Sequence, residues 1–76
     1  MKEKMKEKVI ALIEETLMLP AGSISENTTM DAVAEWDSLA HVMLIGELEE
    51  KMGISITLDE AIEIRSVKDI LEKAVV

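Results

Sequence analysis

The chain has 76 residues, a formal net charge of −8 and no cysteine. A chain of this length makes one domain, expected over 1–76. The acidic balance excludes nucleic acid and anionic membrane surfaces as partners, because binding there depends on neutralising negative phosphates. The missing cysteines exclude a disulfide framework, a thiolate metal site and a cysteine nucleophile. The charge is uneven: residues 1–8 hold four Lys and two Glu, and the remainder has four basic against fourteen acidic residues. Such a body suits a protein partner with a basic docking face. The apolar run Val9 to Ile13 is too short for a signal peptide, and no window reaches a membrane span. A cytoplasmic monomer is expected.

The elements follow in chain order. Val9, Ile10, Ile13 and Leu17, with Met5, recur at helical spacing and predict helix one over Lys2 to Leu19. Glu14 and Glu15 are expected on its solvent side. Pro20 and Gly22 are expected to stop it. From Pro20 to Asp37 no period holds. Ile24, Met30, Val33 and Trp36 are spaced to pin this loop to a core, with a helical turn near Asp31 to Ala34.

Helix two is predicted from Ser38 to Met52 and ends at Gly53. At about 100° per residue, Leu44, Leu48, Met52, Ile45 and Val42 form its inward stripe, which includes His41. Leu39, Met43, Gly46, Glu47 and Glu50 share the opposite side, a mixture of apolar and acidic groups that solvent alone does not require. Ile54, Ile56 and Leu58 alternate, but a lone strand has no partner. They predict an extended connector with its apolar side chains inward. Thr57 and Glu60 have capping-box spacing and start a short helix over Leu58 to Glu63. Ser66 caps a last helix, with Val67, Ile70, Leu71 and Ala74 on its buried face. The fold expected is all-α: three longer helices and one short, with a long loop between the first two.

Trp36-Asp37-Ser38-Leu39-Ala40-His41 is the stretch where chemistry is concentrated. Asp37, Ser38 and His41 invite a hydrolytic triad. On a helix, however, His41 lies roughly 300° round from Ser38 and faces the core, whereas a triad needs an unbroken chain of hydrogen bonds. The carboxylates follow neither an EF-hand loop nor a His/carboxylate pattern, so no metal site is expected. Two readings of Ser38 remain. It, or Asp37 beside it, can merely cap helix two, as such residues usually do. It can instead carry a group whose negative charge the helix N-terminus would favour.

Asp37-Ser38-Leu39, followed by Val42, Leu44 and Glu47-Leu48-Glu49-Glu50, resembles the acyl carrier and peptidyl carrier protein family. The likeness extends over nearly the whole chain, from helix one through Met30 and Ile54-Ser55-Ile56 to Ser66-Val67. The resemblance implies an acyl-carrier-like four-helix bundle that is not an enzyme. It implies a 4′-phosphopantetheine arm on Ser38, attached from coenzyme A by a phosphopantetheinyl transferase, with Asp37 positioning the metal and the coenzyme. It also implies docking through Leu39, Met43, Gly46, Glu47 and Glu50 to loading ligases or synthases with basic faces. Glu35, two residues before Asp37, and the apolar Met43 depart from the fatty-acid type. The expected function is a stand-alone acyl carrier in fatty-acid, polyketide or related specialised biosynthesis. An aminoacyl or peptidyl carrier is the alternative within the family. A small acidic interaction module without a prosthetic group is the alternative outside it.

Overall fold

A computed structural model describes residues 2–74, with side chains from residue 4 onward. Positions 1, 75 and 76 of the expected domain lie outside the described residues. Four helices follow in order: α1 (Lys2–Thr16), α2 (Ser38–Met52), α3 (Leu58–Glu63) and α4 (Val67–Ala74). A short 3-10 helix, Met30–Ala32, sits in the long connection. Among the described residues there is no strand, and Ile54 to Ile56 is the extended connector expected.

The core is aliphatic with one indole. Val9, Leu12 and Ile13 of α1 meet Leu44, Ile45 and Leu48 of α2 and Val67, Ile70 and Leu71 of α4. Trp36, Ile24, Ile56 and Ile64 close it from the connections. Leu12 joins the expected α1 stripe and Ile10 is only half-buried, so the helix is rotated slightly from the periodicity reading.

Helix α1 ends earlier than expected, at Thr16 rather than Leu19. The stop is made by Met18, whose φ is +60°. Leu19 N–H donates to the Glu14 carbonyl at 2.7 Å and Met18 N–H to the Glu15 carbonyl at 3.2 Å. This is a Schellman motif with methionine at the left-handed position that glycine normally fills. A side chain there costs about 1 kcal/mol. Met18 is 89% exposed, so little packing is lost without it. Met18→Gly should therefore raise stability by up to about 1 kcal/mol, read as a later midpoint in urea unfolding.

Glu14 corrects the sequence reading. Its side chain is only 6% exposed instead of facing solvent. Oε2 accepts the Gly22 N–H at 2.7 Å and, at longer range, the Ile24 N–H at 3.5 Å. The chain turns back over α1 after Met18, and Glu14 supplies the acceptor its backbone needs.

The rest of the long connection is tied to the far end of the chain. Thr29 and Ser66 form an isolated antiparallel bridge. Met30 N–H donates to the Arg65 carbonyl at 2.7 Å, and Val67 N–H to the Thr28 carbonyl at 2.9 Å. Thr28 thus satisfies a first-turn N–H of α4 that the helix itself cannot. Ser66 Oγ takes another, from Asp69 at 3.1 Å.

Helix α3 opens with the expected capping box: Glu60 N–H to Thr57 Oγ1 at 3.1 Å, and Thr57 N–H to Glu60 Oε1 at 3.0 Å. Lys73 Nζ meets Glu60 Oε2 at 3.1 Å. The Thr57 backbone bond foremost, then Lys73, lowers the Glu60 carboxyl from its ordinary 4.5 to about 2. Glu60 therefore adds stability above the unfolded value, and that contribution disappears as pH falls from about 4.5 towards 2. The stability difference between the native chain and Glu60→Gln should shrink across that window. Urea unfolding at a series of pH values checks it; a constant difference would refute the assignment.

Candidate functional site

Helix α2 is capped by Asp37, not by Ser38. Asp37 has extended backbone, and its Oδ1 accepts the Ala40 N–H at 2.8 Å. Its carbonyl accepts the His41 N–H at 2.8 Å. Ser38 is then the first helical residue, and it is exposed. Because capping is done by its neighbour, the Ser38 hydroxyl is not committed to holding the helix. It stands where the helix dipole and the leading N–H groups favour a negative group.

His41 has no part in a triad. Its Nδ1 accepts the Trp36 Nε1–H at 2.9 Å, and its Nε2 lies 2.8 Å from the Ala61 carbonyl. With one ring nitrogen accepting, the other carries the proton and donates. Trp36 is 2% exposed and fixes the loop just before Asp37. The pair holds the Asp37–Ser38 corner in place from beneath.

Of the expected docking residues, Leu39, Met43, Gly46 and Glu50 are exposed on α2. Glu47 is half-buried and lies 3.8 Å from Lys51. Val42 was expected inside but is 68% exposed. At about 100° per residue, Val42, Gly46, Leu39, Glu50 and Met43 follow one another round the helix from Ser38. The exposed face is thus more apolar than the sequence suggested, with carboxylates at its lower end.

Val42 is exposed because α3 stands off from α2 there. Between the two helices lies an apolar groove of about 370 Å³, walled by His41, Val42, Ile45, Ile56, Leu58 and Ala61 among others. Leu58, expected inward, is exposed at its rim. Sequence reasoning missed this groove. The available signal was Leu58 itself, an apolar residue at the first position of a helix too short to bury it. Among the described residues, no group of three or more His, Asp or Glu is placed to hold a metal ion. No helix among them is long and apolar enough to cross a membrane.

The helical bundle thus presents an exposed serine beside a capping aspartate at the N-terminus of α2. The chain belongs to the phosphopantetheine attachment site family, which it matches over residues 7–73. It is a carrier protein of a class whose cofactor is covalently attached 4′-phosphopantetheine, and which works with biosynthetic enzymes. The fold is similar to the solution NMR structure of a holo acyl carrier protein from Geobacter metallireducens, with a TM-score of 0.81 and 21% identity. That alignment covers 92% of this chain and 80% of the other. No match was found among curated proteins.

Proposed function

We propose that Ser38 carries the 4′-phosphopantetheine arm and that the chain is an acyl carrier. The observation that carries this is the division of labour at the α2 N-terminus: Asp37 caps the helix and leaves the exposed Ser38 hydroxyl uncommitted. The residues present fit the group. The helix N-terminus would favour a phosphodiester, and the neighbouring Asp37 suits a divalent metal accompanying coenzyme A. In the attachment, Ser38 Oγ loses its proton, bonds to the phosphorus next to pantetheine and displaces adenosine 3′,5′-bisphosphate. Once attached, the arm supplies a thiol that holds cargo as a thioester.

One carrier fold accounts for the described residues, which supports a single carrier domain. Leu39, Val42, Met43, Gly46 and Glu50 would meet loading enzymes whose docking faces combine apolar contact with basic groups. Glu47, half-buried beside Lys51, would sit at the edge of that contact. The apolar groove beside α2 favours acyl over aminoacyl cargo. A cytoplasmic location goes with coenzyme A as donor.

The test is intact mass after incubation with coenzyme A, Mg²⁺ and a broad-specificity phosphopantetheinyl transferase. The native chain should gain one phosphopantetheine and Ser38→Ala none. A gain on Ser38→Ala, or no gain on the folded native chain, would reject Ser38 as the attachment site.

A further inference from the structure

Helix α3 is six residues long and buries none of its own side chains. It is held from its flanks by Ile56 and Ile64, which are buried, and by the Glu60–Lys73 pair on its outer side. Among the described residues, the hydrogen bond joining α3 directly to α2 is His41 Nε2 to the Ala61 carbonyl, at 2.8 Å. That carbonyl belongs to the last turn of α3 and also accepts the Ile64 N–H, at 3.3 Å. The His41 ring is fixed in turn by Trp36 Nε1–H on Nδ1. Trp36 and His41 bracket Ser38 from two residues before it to three after.

This chain of bonds also forms one end of the groove, since His41 and Ala61 both line it. Moving α3 away from α2 widens the groove and must break the bond to Ala61. It also frees the ring that Trp36 depends on. We propose that His41 is a positioning residue: it latches α3 at its present distance from α2 and passes groove occupancy to the Trp36 indole beside Ser38. The inference rests on the carrier reading for its cargo, but the latch itself is a property of the unmodified chain.

The first arm of the test therefore uses the unmodified protein. Amide hydrogen exchange is compared between α3 (Ala61, Ile62) and the core (Ile13, Leu48, Ile70) in native, His41→Ala, His41→Gln and Trp36→Phe chains. His41→Ala should speed α3 exchange about fivefold or more beyond any change in the core. His41→Gln keeps a donor and an acceptor and should restore part of the protection. Trp36→Phe leaves the ring unanchored and should give a smaller acceleration. Exchange that rises equally everywhere, or not at all in α3, overturns the latch.

The second arm reads the Trp36 indole N–H resonance in protein loaded at Ser38 with acetyl or octanoyl pantetheine. Octanoyl should move the resonance and acetyl should not, and in His41→Ala neither should. Equal responses to the two cargoes, or none, overturn the coupling. Failure to load, seen as unchanged intact mass, counts against Ser38 as the attachment site; the exchange arm still decides the latch.

Discussion

Trp36→Ala should destabilise the fold by about 3–5 kcal/mol, the range for deleting a large buried side chain. A chain of this length has a total stability on the order of 4–11 kcal/mol, so a substantial unfolded fraction is expected. Three losses combine. The cavity left by an indole that is 2% exposed lies where the loop meets the core. The His41 Nδ1 acceptor loses its donor. The loop before Asp37 loses its deepest side chain. Trp36→Phe keeps most of the volume and removes the N–H; it should cost about 1–2 kcal/mol. Urea unfolding followed by circular dichroism separates the two, since the substitution removes the chain's one tryptophan. Equal costs for Ala and Phe would mean that the hydrogen bond, not the packing, holds the loop.

Glu14→Ala should cost about 1.5–3 kcal/mol, the range for a hydrogen bond to a charged group. The carboxylate is buried and serves the Gly22 and Ile24 N–H groups, while the Glu14 carbonyl serves Leu19. One residue thus organises the turn twice, and the substitution removes only the side-chain half. Glu14→Gln keeps an acceptor oxygen and should retain much of the stability. The local readout is amide exchange at Gly22 and Ile24, which should accelerate in Glu14→Ala more than in Glu14→Gln. Unchanged protection at both amides would refute the role assigned to the carboxylate.

These two residues mark where the sequence was legible and where it was not. Trp36 was readable as an anchor because a lone aromatic in an irregular segment has few other uses. The α3 capping box and the Gly53 helix end were readable because short-range chemistry determines them, and both occur as expected. Glu14 was not readable. Its burial depends on where residues 17–24 fold back, and nothing within a helical turn of Glu14 signals that. The end of α1 was missed for a related reason: Met18 has no preference for the left-handed region, so tertiary context places it there. Val42 fell on the inward arc by angle alone and is exposed because the facing helix is short and set back. At the site, the identity of the candidate serine was legible from Asp37-Ser38-Leu39, but its release from capping duty required the geometry of Asp37. The groove depends on the distance between two helices, which no local pattern encodes.

The bridge between Thr29 and Ser66 changes how the irregular segment should behave towards a protease. A long stretch without regular structure is ordinarily the first place a chain is cut. Here, cleavage requires Ile24 and Trp36 to leave the core and Thr28 to release the first turn of α4. Opening the segment therefore amounts to opening much of the molecule, and the rate of nicking should follow global stability rather than local looseness. The connection between α1 and α2 is then irregular in shape yet expected to resist cutting as long as the core is intact.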